Sequence, residues 1–385
     1  MIQSSAEKLR AWIVTEALPF WATVGFDDVH GSFVERLDLS GIALPDVPRR
    51  AMVQGRQVYV FAHAALLGWY PGGRDIALRA AQNLVDRYLA PDGHPGWVFS
   101  TSGDGVIRDP KRDLYSHAFV LFGLAWAYRL EPRPAFRDAA LTTLAVLDEH
   151  FAAPSGGFRS EYPASPSSGL RQNPHMHLFE AMNAWHDASG EAAFLACATE
   201  ISELMAARFF QPQAGVLAEY FDASWAPEQG VRGRICEPGH HYEWSWLLRR
   251  SAGAAARDKD HLAAALYSYA DRYGFDSAGL IVDELLDDGS VHVSSRRCWP
   301  HTEAIKANAV AFEAGAASSA ERADRLIDRL MDTFLGRPIR AGWIDHVDAE
   351  GAPIVSYIPA STLYHVFMAT VEADRVWGGK GPSSG

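Results

Sequence analysis

Apolar positions recur with a helical period in twelve stretches of the 385 residues, and these stretches alternate between two kinds. One kind is apolar nearly all round, as in YSHAFVLFGLAWAY at 115–128, which is the pattern of a helix buried on every side. It predicts inner helices at about 49–71, 111–130, 174–188, 238–251, 299–315 and 360–376. The other kind leaves one charged face, as in RADRLIDRLMDTFL at 322–335, and predicts outer helices at about 5–23, 74–89, 133–151, 191–209, 256–273 and 319–335. Inner and outer helices are joined by a few residues carrying Gly, Pro or charge (PGGR, EPRP, ASGE), whereas the returns from outer to inner run about 20 to 28 residues. Several returns repeat one pattern, as in GWVFSTSGDG, GVLAEYFDASW and GLIVDELLDDGS: Gly, alternating apolar residues, then an acidic or Gly turn. That pattern predicts short β-hairpins.

Two further series keep the same period. Pro48, Pro110, Pro174, Pro238, Pro300 and Pro359 are separated by 62, 64, 64, 62 and 59 residues, and proline is favoured at the first helical position, so they read as six helix starts. Arg56, Tyr115, His177, His240, Trp299 and His365 follow them, one polar or aromatic residue per repeat near each start. Six helix pairs with every long return at one end predict an all-α (α/α)6 barrel of twelve helices, with short β-hairpins at the pocket end. The repeat spans the chain, so 1–385 is expected to be a single barrel domain with its core at about 5–376 and no linker. The pocket is expected at the N-terminal mouth of the inner helices, since long loops there are usually functional.

Charge and composition narrow the partners. A formal net charge of −12 disfavours nucleic acid and anionic membrane, and favours a substrate that is neutral or whose charge is handled locally. The first residues, MIQSSAEKLRAW, lack the apolar core and small-residue cleavage site expected of a signal peptide, and the most apolar segment, Ala118 to Tyr128, is too short to cross a bilayer. Three scattered cysteines, Cys197, Cys236 and Cys298, fit reduced thiols in a cytoplasm better than disulfides or a zinc site.

At the mouth, His177, His240 and His365 titrate near neutrality and suit proton transfer beside a carbonyl. Glu243 is one turn from His240 and Glu180 one turn from His177, where each carboxylate could orient an imidazole or accept a substrate hydroxyl. Arg56 adds a permanent cation for a developing oxyanion. Trp299, with Trp244 and Trp246, is expected to supply flat walls for a sugar ring. His117, His150, His175, His186 and His261 read as packing or surface residues, and Glu237 and Glu303 as helix-start anions. The pairs His175/His177 and His240/His241 resemble metal ligands only superficially, because such neighbours diverge on a helix and no supporting carboxylate cluster is evident. A glycoside hydrolase using Glu180, Glu243, Glu303 or Asp283 is a competing class, as is a non-catalytic interaction protein. Arg232 and Arg234, near the mouth, keep an anionic, sulfonated sugar open.

The segments QGRQVYVFAHA, NPHMHLFEA, EPGHHYEWSWLL, RRCWPHTEA and LYHVF together resemble the N-acylglucosamine 2-epimerase superfamily, most closely its mannose-type aldose–ketose isomerase branch, over about residues 10 to 372. The resemblance implies the (α/α)6 barrel, no metal and no cofactor, and interconversion of an aldose such as mannose or lyxose with its ketose through an enediolate, with 2-epimerisation of an N-acylated or disaccharide sugar as the alternative. It implies that His365 moves the C2 proton and that His240 is its acid/base partner, while Arg56, Tyr115, Asn173, His177, Glu243 and Trp299 contact the sugar. The PAST segment before Leu363 lacks the tryptophan of cellobiose epimerases, and no phosphate-binding loop for a nucleotide is visible. The expected partner is one monosaccharide, and the expected state a monomer or homodimer.

Overall fold

The computed structural model describes residues 4–165, 169–251 and 258–378. Among the described residues, twelve α-helical runs alternate between an outer and an inner ring. The outer ones are α1 (Ser5–Trp12, continuing through a π turn into Leu18–Thr23), α3 (Gly73–Tyr88), α5 (Pro134–Val146), α7 (Ala192–Leu204), α9 (Asp260–Tyr273) and α11 (Ser318–Thr333). The inner ones are α2 (Ala51–Leu66), α4 (Leu114–Leu130), α6 (Gln172–Ser189), α8 (Pro238–Arg250), α10 (Cys298–Glu313) and α12 (Thr362–Trp377). This is the (α/α)6 barrel that the alternation predicts. On α11 the buried residues Ser319, Ala323, Leu326, Ile327 and Leu330 form one stripe at helical spacing, whereas α4 is buried over most of its circumference. The predicted start of the fifth outer helix falls partly on 256 and 257, which lie outside the described residues, and α2 stops at Leu66 rather than 71.

The prolines mark the helix starts less directly than their spacing suggests. Only Pro238 occupies the first helical position; Pro174 and Pro300 are third in α6 and α10, while Pro48, Pro110 and Pro359 precede their helices. The start is set instead by a short strand immediately upstream. Arg49–Arg50 pairs with Ser100–Thr101, Arg112–Asp113 with Glu161–Tyr162, Leu170–Arg171 with Tyr220–Phe221, Ile235–Cys236 with Glu284–Leu286, Arg296–Arg297 with His346–Val347, and Tyr357–Pro359 with Arg36–Asp38. Each pairing is antiparallel and ties the entry of an inner helix to a return from an outer one. The last, with Tyr357 opposite Asp38 and Pro359 opposite Arg36, joins the two ends of the chain and closes the ring. Local hairpins exist as expected, for example Glu284–Leu286 with Val291–Val293, but the cross-pairings were not legible from alternation, which marks a strand and not its partner.

A second set of ties runs beneath the strands. His117, His175, His241 and His301 each contact through Nδ1 the carbonyl four residues back, and each accepts at Nε2 the backbone N–H of Trp97, Phe158, Leu217 and Ile281 respectively, at 2.9–3.1 Å. Gln54 makes the equivalent tie by accepting the Phe33 N–H at Oε1 and donating from Nε2 to the Phe33 carbonyl. Burial lowers the pKa of each of these four imidazoles to about 4, so they are neutral, which is what accepting at Nε2 requires. His117 and His175 are therefore the packing residues that the sequence predicts.

The barrel wall is tightest between α2 and α4. A Cβ on Gly55 would stand 2.2 Å from the Phe119 carbonyl oxygen, and one on Gly123 would stand 2.4 Å from the Gly55 carbonyl oxygen. This contact carries Arg56 onto the faces of Phe119 and Tyr115. Gly123→Ala is accordingly expected to cost about 1–3 kcal/mol by overpacking, read as a lower urea midpoint at unchanged slope. An unaltered midpoint would show that the two helices have room to separate.

Candidate active site

One cavity of about 280 Å³ lies at the N-terminal mouth of the inner helices. Arg56, Tyr115, His177, His240, Trp299 and His365 enter it from α2, α4, α6, α8, α10 and α12 in turn, and Asn173 and Glu243 complete the set expected from the sequence. Arg50, Glu237, Arg297, Asp345 and Thr362 also line it and were not anticipated. Their place follows from the strand ring, which sets the residues at each helix entry around the rim.

The two candidate proton carriers are held in opposite charge states. His240 Nδ1 lies 3.0 Å from Glu219 Oε1 and 3.9 Å from Glu237 Oε2. Gln172 donates to the second oxygen of Glu219 (2.7 Å) and is itself fixed by Trp244 Nε1 (2.8 Å). Burial works against a charge on His240, but Glu219 and Glu237 outweigh it and push its pKa up to about 9. His365 is the reverse. Burial, reinforced by Arg56, Lys306 and His240, drives its pKa well below the usual histidine value. Its Nδ1 is 2.8 Å from Glu303 Oε1, so the neutral ring donates there and keeps its lone pair on Nε2. The Trp299 ring stands between them, 5.0 Å from the His240 ring and 5.6 Å from the His365 ring.

Around this pair are polar groups with little to bond. Arg56 donates to Tyr115 Oη (2.7 Å) and to the Ser361 carbonyl (3.2 Å), and it has no carboxylate partner among the described residues. His177 Nδ1, Asn173 Oδ1 and both Glu243 oxygens are buried without a hydrogen-bond partner among the described residues. Burial, with Glu303 nearby, raises the Glu243 pKa well above the carboxylate range, so Glu243 is a neutral acid able to donate as well as accept. Buried groups left open in this way suit a ligand rich in hydroxyls.

Several expectations need correction. Glu243 does not orient His240; Glu219 does, from the hairpin region of a return, and its carboxylate was visible only as one acid among many in GVLAEYFDASW. Glu303 is no helix-start anion but the partner of His365 and Lys306. Trp244 packs behind Gln172, and Trp246 lies toward the opposite end of the barrel, bonded to Glu372, because residues one or two positions apart point to different faces of α8. Arg232 pairs with Glu228, and Arg234 with Asp287 and Asp288, so neither reaches the cavity. Among the hydrolase candidates only Glu243 lines it; Asp283 is taken by Arg297, Ser295 and His346. Carboxylates do cluster, contrary to expectation: His177/Glu180/Glu243, Glu219/Glu237/His240 and Glu243/Glu303/His365 each bring three ligand-type atoms within 4.8 Å. Protein cations already face two of these clusters, with Lys306 on Glu303 and Arg297 on Glu237.

The Glu219 contact can be tested on the protein alone. In Glu219→Gln the His240 pKa, followed by NMR titration, is expected to fall by about one unit or more as the strongest neighbouring charge is lost. A value unchanged near 9 would assign the charge on His240 to Glu237.

Comparison with known proteins identifies the family. The family model of N-acylglucosamine 2-epimerase (GlcNAc 2-epimerase) matches residues 31–369. Mannose-6-phosphate isomerase of Rhizobium meliloti (strain 1021) is 37% identical over 97% of each chain. D-mannose isomerase of Thermobifida fusca is 28% identical, over 94% of this chain and 93% of the relative. A crystal structure of D-mannose isomerase superposes with a TM-score of 0.84 at 21% identity, over 97% of this chain and 99% of the other. The chain belongs to the N-acylglucosamine 2-epimerase family of sugar isomerases and epimerases.

Proposed function

We propose that the protein is an aldose–ketose isomerase that interconverts D-mannose, or a related aldose such as lyxose, with the ketose, D-fructose in the case of mannose, by proton transfer through an enediolate without a metal ion or cofactor. On this reading the whole chain, 1–385, serves as one barrel domain acting on a single monosaccharide. The observation that carries the proposal is the pair of histidines in one cavity, one held neutral and one held cationic.

A C2 hydrogen beside an aldehyde is a weak acid, so its removal needs a placed base, a stabilised oxyanion and little competing water. His240, as imidazolium, donates to the ring oxygen as the C1–O5 bond breaks, and the neutral imidazole then takes the proton of the anomeric hydroxyl as C1=O forms, which opens the pyranose and restores the imidazolium. His365 Nε2 takes the C2 proton, and the C–H electron pair becomes the C1=C2 bond while charge gathers on O1. Arg56 stabilises that oxygen, with neutral Glu243 as a further donor. His365 then returns its proton to C1 while the O2 proton passes to O1, leaving a ketone at C2 and a hydroxyl on C1. Trp299 offers its face to the sugar ring, and Tyr115, Asn173 and His177 hold hydroxyls. A base on one face suffices for isomerisation, whereas a 2-epimerase would use His240 on the opposite face of C2.

The Rhizobium relative raises a phosphorylated aldose as a second reading. A phosphate requires free cations, yet Arg50 is engaged by Glu35 and Arg297 by Glu237 and Asp283. Arg56 remains, fixed at depth by Tyr115 and Ser361. The cavity therefore favours the neutral sugar, and kcat/KM for mannose is expected to exceed that for mannose 6-phosphate; the opposite order would favour the second reading.

In heavy water, mannose is expected to give fructose with deuterium incorporated and with little glucose, at a rate unaffected by chelator. Glucose accumulating as fast as fructose would make the enzyme an epimerase, and loss of activity restored by one divalent ion would overturn the metal-free route. His365→Asn should keep sugar binding while C2–H exchange falls by about a hundredfold to ten-thousandfold, the usual contribution of a positioned base. Exchange near the wild-type rate would place the base elsewhere.

A further inference from the structure

Lys306 has no role in the chemistry so far described and does not line the cavity, yet it sits at the centre of the barrel. It follows Glu303 by one turn of α10, and neither side chain has any solvent exposure (0%). Its ammonium lies 2.5 Å from Glu303 Oε2, 3.3 Å from the Met368 sulfur and 4.0 Å from the centre of the Trp246 ring. Two of these contacts are apolar, which a lysine is not needed to fill. A buried ammonium is costly unless an anion answers it, so the charge itself is the feature to explain.

Its route to the cavity runs through a shared carboxylate. One oxygen of Glu303 faces Lys306; the other accepts from His365 Nδ1. The other charged or titratable groups around Glu303 include the cationic His240 on α8, which supports its ionised form more weakly than Lys306, Glu243 on α8 and Glu180 on α6, both like-charged when ionised, and Tyr364 on α12, whose hydroxyl is spent on Glu180; the Thr302 hydroxyl also approaches Glu303 Oε1 at 3.4 Å. Burial pushes the Glu303 carboxyl up, and Lys306 is the largest influence opposing that. A protonated Glu303 would donate to Nδ1 instead of accepting from it, and the proton of the neutral ring would then sit on Nε2, where the lone pair must be for base catalysis.

We propose that Lys306 is a positioning residue: by pairing with Glu303 it keeps that carboxylate an acceptor, and so holds His365 in the tautomer whose Nε2 is free to take the substrate proton. The inference rests on the reading of His365 as the base. It adds to that reading a residue that touches neither sugar nor histidine.

The test uses the full chain labelled with 15N-histidine, with His365 assigned by its disappearance in His365→Asn. In the wild type, Nδ1 should show as the protonated nitrogen and Nε2 as the unprotonated one; the reverse would overturn the proposal without any Lys306 variant. In Lys306→Met the two should exchange character, and the C2–H exchange rate of mannose should drop at least about a hundredfold with KM little changed. Lys306→Arg, if accommodated, should restore the wild-type tautomer. A wild-type tautomer and rate in folded Lys306→Met would remove Lys306 from the mechanism. A swapped tautomer in Lys306→Met, with no exchange of mannose by the wild type, would support the role of Lys306 while overturning the isomerase reading.

Discussion

The structure depends on how charge is managed at the dry centre of a closed barrel. Ionisable groups taken out of water lose their charge unless a neighbour of opposite sign stands within contact distance. Here that choice is made differently for each histidine. Glu219 stands against His240 and keeps it cationic; Glu303 stands against His365, but Lys306 shares its charge, so the imidazole stays neutral and is merely oriented. On the proposed reading, two residues of one type thus take the separate acid and base roles that proton transfer at a carbon beside a carbonyl requires.

The barrel makes this arrangement possible by bringing six inner helix entries to one mouth. Each entry is pinned by a strand paired to a return, and five of the six are pinned a second time by a side chain at the fourth helical position that accepts a backbone N–H from a return. The pairing of Tyr357–Pro359 with Arg36–Asp38 closes the circle between the two chain ends, so residues more than three hundred positions apart, such as Arg56 and Ser361, come into hydrogen-bonding contact. Without that closure Arg56 and His365 would not share a cavity.

Much of this was legible in the sequence because repetition carries information that a single motif does not. The helix ranges followed from apolar periodicity, and the six mouth residues followed from their common spacing. The same spacing could not distinguish which carboxylate serves which imidazole. Glu243 is one turn from His240 on α8, but the contact is made by Glu219, 21 residues earlier in the chain, and the partner of His365 is 62 residues away on α10. Trp246 looked equivalent to Trp299 by residue type, yet helix direction sends it to the other end of the barrel. Such choices are made by tertiary packing between elements, which local pattern does not record. Lys306 was invisible for the same reason: on the sequence it is one lysine in a helix, and only its complete burial against Glu303 gives it significance.

The division of charge between the two histidines is tested most directly by the pH dependence of kcat/KM for mannose. Because the pKa of His365 lies well below 6.5, the base is already competent under mildly acidic conditions; because that of His240 is about 9, the acid stays charged through neutrality. The account therefore predicts a plateau across pH 6.5 and a fall on the alkaline side with an apparent pKa near 9. A rate that instead climbs through pH 6.5 as an ordinary histidine loses its proton, and shows no alkaline fall, would contradict it.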